Sequence, residues 1–506
     1  MTARVPGSAA MAAALPRNAV LLAPLCIGLV VGVLSLCLGA SAEYVALQMF
    51  LFVLLCPLLF IAKYDERYTA VTFLVSFLKI FFISQIVSIV MRRAPDAGLV
   101  RPELTVAAIA VGLVAGMLGI CAAALVFSAL RVDRPILRLN PDPRTLGRLG
   151  YVSAIIGLPA QVIWTAFTGT LTGDQHGGIG ATASGVALFA LLTPLSLLAI
   201  CCFAVKKLVA SNGRTILSRE FVAALALYVI AIAPMATKAE PLKPIVAVAV
   251  TAIVCRYRPS LGLVAGGLAV LLLVAEFLYP TITIARMRAF GDGGALPVVF
   301  LQTAVEEIED PSKFAYVEAY TNNLDRMTGH FFYGSPHGFL DRFTPLATDR
   351  LVVASRYVEP TGWTEFAEGA ASVLPQTLGF KRDPAKTQRR LEAAFLRAQD
   401  KLGRVAWENT GYVGGGFLAG GLRMVAIYLF AFAFISSLVA RLTFGASGQI
   451  ILWIPFLVTF MLVPADATLA GTASGYFWGW VILAAAITIA MKAGVGELGG
   501  GRAHVA

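Results

Sequence analysis

"KPIVAVAVTAIVC", residues 243–255, decides how the chain is threaded. It is apolar enough for lipid but only 13 residues long, whereas a bilayer-crossing helix needs roughly 20 mainly apolar residues. If it crosses, everything after it keeps one sidedness; if it is a short, buried or re-entrant piece, the count turns odd and every later segment changes face. Around it, hydrophobic residues make up 58% of the 506 positions and charged residues 14%. Soluble domains carry about 25% charged residues, so the composition is that of an integral membrane protein.

Working outward, about twelve windows meet the length and polarity expected of spans. Nine lie at 19–39, 44–62, 69–91, 104–130, 151–170, 181–205, 220–236, 243–255 (the weak one) and 261–281, and three at 423–440, 449–465 and 471–491. The fold class expected is an all-α polytopic membrane protein of about twelve transmembrane helices. Three regions follow: an N-terminal membrane bundle over 1–285, an outer cap loop over 286–422 between helices nine and ten, and C-terminal helices over 423–506.

Orientation is read from the Lys and Arg of the short loops. With the N-terminus inside, eighteen such residues fall on the inner side, among them Arg131, Arg144, Arg148, Lys206, Lys207, Arg214 and Arg219. Five fall outside: Arg92, Arg93, Arg101, Lys238 and Lys243. Both ends are therefore expected in the cytoplasm, with the long loop on the outer face. The net charge of +11 is spread over short loops beside lipid, where it reads as a topology signal and as contacts to anionic lipids. Nucleic acid is not an expected partner. "LGASAE" after the first apolar run resembles a signal-peptidase site, but the run has the length of a full span and is expected to stay as a helix. All seven cysteines lie in or beside apolar segments, which leaves the outer loop without a disulfide framework or a Cys-based metal site.

The outer loop is expected to be mainly helical. "DPSKFAYVEAYTNNLDRM" (310–327) opens with Asp310 as N-cap and Pro311 at the first helical position. "AKTQRRLEAAFLRAQDKLGR" (385–404) is amphipathic. "GHFFYGSPHGFLDR" (329–342) holds His330 and His337, seven apart and outside metal-ligand spacing. "NTGYVGGGFLAGGLRMV" (409–425) concentrates six glycines at the return to the bilayer. Glycine there serves either close helix packing or backbone approach to an anion. Within the apolar runs, Lys79, Gln161, Glu276 and Asp466 each read either as cavity-lining groups or as helix-to-helix hydrogen bonds.

The passages "VEPTGWTEFAEGAASVLPQTLGFKRDPAK" (358–386) and "ENTGYVGGGFLAGGLRMVAIYLF" (408–430), with one dominant late loop, resemble bacterial oligosaccharide repeat-unit polymerases of the Wzy type. Gln376 stands where some members have Arg, and "KRDP" approximates their loop ending. The resemblance implies a metal-independent membrane glycosyltransferase without cofactor that polymerises undecaprenyl-pyrophosphate-linked oligosaccharides into O-antigen, capsule or exopolysaccharide. Its implied partners are those lipid-linked glycans, membrane lipids, and chain-length regulator and export proteins. On that reading Arg326, Arg342, Arg350, Arg356, Arg382 and Arg423 hold pyrophosphate or glycan anions, because guanidinium forks pair with phosphate. Trp363 is a sugar platform, and the base is His337, Asp341 or Glu365. The alternative reading is a polytopic flippase or transporter of lipid-linked glycans, or another polyprenyl-linked glycosyltransferase or ligase.

Overall fold

A computed structural model describes residues 17–64, 84–90, 101–130, 143–171, 192–232, 242–255, 259–273, 296–310, 412–444 and 481–490, with shorter stretches among 81–100, 278–288 and 349–363 and isolated positions elsewhere. The described elements are helical: α1 (Arg17–Cys37), α2 (Ala42–Tyr64), α3 (Ser84–Val90), α4 (Pro102–Leu130), α5 (Pro143–Leu171), α6 (Pro194–Ala210), α7 (Arg219–Ile232), α8 (Leu242–Val254), α9 (Leu261–Leu273), α10 (Leu296–Glu309) and α11 (Tyr412–Phe444).

Local chemistry sets their ends. Proline opens α4, α5 and α6, where its missing N–H costs no helical hydrogen bond. Ser41 Oγ accepts the Tyr44 N–H at 3.2 Å and Ser218 Oγ that of Phe221 at 3.1 Å, capping α2 and α7. α6 ends with Asn212 N–H to Val209 O and Gly213 N–H to Leu208 O, the paired bonds of a left-handed C-terminal cap. Asn212, at φ 53°, occupies the left-handed position there.

Two packed groups result. In the first, α4 lies along α11, and α2 packs against both α1 and α4. Their shared core includes Leu51, Ile109, Leu113, Ile120, Val425 and Tyr428. A Cβ on Gly119 would lie 2.5 Å from the Phe430 carbonyl oxygen and 3.0 Å from the Phe434 nitrogen, so the helix backbones meet there. Gly112 faces Val425 and Leu429 while Gly119 faces Phe430 and Ala433, so the two helices run parallel. In the second group α5 and α6 are antiparallel, with Gly157 against Leu195 and Ser196 and Gly150 against Phe203. α7 and α8 complete this group around Phe221, Tyr228 and Ala247. Lys206 Nζ on α6 and Glu220 Oε1 on α7 pair at 2.8 Å. That hydrogen bond, helped by the Glu220 backbone N–H and Ser218, pulls the carboxyl down to about 2.

α11 is not one straight rod. Gly420 and Gly421 leave helical geometry, the latter at φ 68°, and a Cβ on Gly416 would lie 2.9 Å from the Val425 Cα. Residues nine apart are about 13 Å apart along a continuous helix, so 412–419 doubles back against 422–444. Of the two roles open to the glycine-rich return, close packing is the one Gly416 plays.

The expected twelve-span plan is corrected here. Among the described residues three helices are long and apolar enough to cross a membrane: Pro102–Ala129, Pro143–Thr165 and Val413–Leu438, the last containing the Gly420–Gly421 turn. Pro24–Cys37, Ala42–Leu58 and Val481–Ala490 are shorter apolar helices. The reason is geometric: apolar windows count composition, not helical length. Over the described residues α7, α8 and α9 run for 14, 13 and 13 residues, about 20 Å at the helical rise and short of a hydrocarbon core of about 30 Å. The deciding stretch, now α8, is one of these short pieces. With the many-span architecture goes the Wzy-type O-antigen or exopolysaccharide polymerase reading, and the polytopic flippase alternative that needs the same plan. What stands is a chain bearing helices able to cross a bilayer.

Candidate functional site at the arginine-bearing end

Four chain segments are tied together at the N-terminal end of α4. Asp349 is fully buried. Its carboxylate accepts the backbone N–H of Val100 at 2.8 Å, that of Arg101 at 2.8 Å, and the Thr105 hydroxyl at 2.9 Å. A helix start exposes unpaired N–H groups and a partial positive charge, and a carboxylate from almost 250 residues downstream answers both. Val352, just beyond, enters the main core.

The same downstream segment is pinned to the fold-back in α11. Gly362 N–H donates to the Ala419 carbonyl at 2.8 Å, taking up an acceptor left open where the helix stops before Gly420. The Tyr428 hydroxyl in turn donates to the Gly362 carbonyl at 2.9 Å. Gly362 itself sits at φ 55°, a conformation that favours glycine. On the other flank, Ser41 N–H in the α1–α2 turn donates to Asp96 Oδ2 at 3.0 Å, and the Tyr44 hydroxyl to Gln85 Oε1 at 3.0 Å.

This end therefore collects the α1–α2 turn, the 92–101 loop, the 349–363 strap and the Gly420–Gly421 turn. Arg92, Arg101, Arg356 and Arg423 are all exposed on these segments, as is Trp363 at 59%. The two aspartates on them are occupied with backbone N–H groups and the Thr105 hydroxyl. None of the four guanidinium groups is ion-paired with a carboxylate among the described residues. Planar donor forks beside an exposed indole suit a phosphate ester at a lipid-water boundary.

Of the residues expected from sequence, Arg356, Trp363 and Arg423 are placed at this one end. His337, Asp341, Glu365, Arg326, Arg342, Arg350 and Arg382 lie outside the described residues, as do Lys79, Glu276 and Asp466. Gln161 is buried within α5. Asp349, Arg92 and Arg101 were not expected as site residues. Arg92 and Arg101 had a signal, being two of the few outer-loop cations. Asp349 had none, since "LATDRL" carries no local mark of a cap donated to a distant helix. Among the described residues no group of three His, Cys, Asp or Glu could hold a metal ion. No family model, curated protein or solved structure matches this chain. The Wzy-type resemblance thus rests on its quoted motifs alone.

Proposed function

We propose that this is a membrane protein that binds a phosphate-bearing lipid at the end lined by Arg92, Arg101, Arg356, Arg423 and Trp363. The observation that carries it is the gathering there of four exposed guanidinium groups on tethered backbone, none ion-paired among the described residues although Glu43 and Glu103 lie at the same end, with Asp349 and Asp96 committed elsewhere. Exposed arginine at a membrane surface attracts anionic headgroups, and its planar fork pairs bidentately with phosphate. The substrate class proposed is a polyprenyl phosphate or pyrophosphate, optionally glycan-linked.

The loop-charge bias supports placing this end on the outer face of a bacterial inner membrane, with the opposite ends of α4 and α5 facing the cytoplasm. The test is binding of a water-soluble short-chain isoprenyl pyrophosphate to purified protein in neutral detergent. Arg356→Ala with Arg423→Ala should weaken it roughly 5- to 25-fold, at about 0.5–1 kcal/mol per exposed charge contact, with the loss shrinking in high salt. Unchanged affinity in the double variant at low salt would overturn the reading.

A further inference from the structure

The seam between α2 and the short α3 segment holds a polar group that the fold leaves unanswered. Gln48 is fully buried, and neither its Nε2 nor its Oε1 has a hydrogen-bond partner among the described residues. A buried carboxamide without partners is costly, and such a group needs a reason. Its place along the seam is fixed from both sides. One turn before it, the Tyr44 hydroxyl donates to Gln85 Oε1 at 3.0 Å. One turn after it, Phe52 meets Phe82 edge-on, ring centroids 4.8 Å apart. Positions 44, 48 and 52 share a face of α2, so the segment across the seam runs antiparallel to it and Gln48 lies between the two contacts.

That segment is bounded by irregular backbone. Phe81 and Phe82 stand in a π-helical turn, which takes in an extra residue. At the other end Arg92 has φ 53°, where side chains other than glycine are strained. Between them lies α3, seven residues long. Its inward side repeats polar groups one turn apart, with Gln85 buried and Ser88 half-buried. A slide of α3 by one turn, about 5 Å, toward the Phe52 end of the seam brings Gln85 opposite Gln48 and Ser88 opposite Tyr44. Tyr44 then keeps a partner in both registers, whereas Gln48 has one only in the second, where two carboxamides can exchange N–H and oxygen reciprocally. The register seen here is favoured instead by the Phe52–Phe82 contact, so each has something the other lacks.

We infer that α3 is a two-register latch on α2, ratcheting by one turn between the Tyr44–Gln85 pairing seen here and a Gln48–Gln85 pairing. One-turn steps of this kind are an established form of switching between packed elements. Arg92 travels with α3, so the step remodels the arginine-bearing end; that consequence alone rests on the lipid reading above.

The experiment is double electron–electron resonance on the full chain in phosphatidylcholine nanodiscs. Spin labels are placed through Ile86→Cys on α3 and Leu125→Cys on α4, both exposed, with Cys26, Cys37, Cys56, Cys121 and Cys255 each replaced by alanine. Wild type should give two separations about 5 Å apart, the shorter one from the shifted register. Gln48→Met keeps the length of the side chain and drops its polar atoms. It should cut the shorter population at least about fivefold, about 1 kcal/mol, and raise the melting temperature. Tyr44→Phe takes the hydroxyl from Gln85 in the present register and should enrich the shorter separation severalfold. A single separation in both wild type and Tyr44→Phe, or a shorter one that Gln48→Met leaves undiminished, overturns the latch. So does a lower melting temperature in Gln48→Met, which would show the carboxamide already satisfied. All readings are taken without ligand, so failure of the lipid site leaves them standing.

Discussion

Replacing Asp349 by alanine tests the central tether of the first helix group. The substitution removes one buried carboxylate and leaves the N–H groups of Val100 and Arg101 and the Thr105 hydroxyl without their acceptor. An N-cap lost to alanine costs about 0.5–2 kcal/mol, and each buried donor left unsatisfied about 1–3 kcal/mol. Arg101 is exposed and water can reach part of this end, so the sum is held to about 2–4 kcal/mol rather than the full total. If opening of the first turns of α4 governs exchange, amide protons of 103–108 should lose roughly 30- to 700-fold of their protection. Asp349→Asn should fall between, since its amide keeps one acceptor oxygen but turns an N–H toward another N–H. Thr105→Val should cost about 1 kcal/mol alone and add little on top of Asp349→Ala, because the two share a bond. Hydrogen-deuterium exchange by mass spectrometry on protein in detergent reads all four. Protection in Asp349→Ala within about threefold of wild type, about 0.6 kcal/mol, would refute the assignment of this carboxylate as the cap of α4.

Three further outcomes are expected. Gly157→Ala drives a methyl into the Leu195–Ser196 backbone and should lower the melting temperature, at about 1–3 kcal/mol for overpacking; Gly262→Ala, which meets nothing within 4 Å, should be neutral or stabilising. Because the Glu220 carboxyl titrates at about 2 when folded, below its ordinary 4.5, its pairing with Lys206 stabilises fully above about pH 4.5 and is lost as pH falls toward 2. Both side chains keep about 30% of their surface in water, so the contribution is held to about 1 kcal/mol, and Glu220→Gln should flatten that part of the acid melting profile. Tyr428→Phe removes the donor to Gly362 O and should raise proteolytic cleavage near 360–363 several-fold, with α4 protection unchanged.

The starts of α1, α2 and α4 were legible from composition, and the number of helices long enough to span was not. The apolar windows at 19–39, 44–62 and 104–130 fall within two residues of the starts of α1, α2 and α4. α5 begins eight residues before its window because "PRTLGRLG" is polar yet helical, with Pro143 setting its first turn. The stretch 243–255 became a 13-residue helix packed beside α6 through Thr251 and Cys201, a contact that its hydropathy does not encode. At the site, residue type singled out Arg356, Trp363 and Arg423, since exposed arginine and tryptophan near lipid are costly to leave idle. Their gathering at one end depends on bonds between positions far apart in sequence, such as Asp349 to Arg101 and Gly362 to Ala419. Such pairings leave no periodicity or spacing to read. The fold-back at Gly420–Gly421 lay between: the glycines announced a special backbone, but only Gly416 against Val425 shows which one.

The parallel seam between α4 and α11 has a consequence for how the chain is made. The ribosome completes α4 roughly 280 residues before it reaches Tyr412, an interval of about 15–60 s at ordinary synthesis rates. During that time the Gly112 and Gly119 face of α4 has no partner, and the turns at its start lack the carboxylate that will cap them. A nascent chain stalled anywhere between 130 and 349 should present α4 uncapped, packed on α2 but with its α11 face bare, to whatever machinery handles it in the membrane. Synthesis of 412–444, long after α4 is made, then closes the helix group that α1, α2 and α4 began.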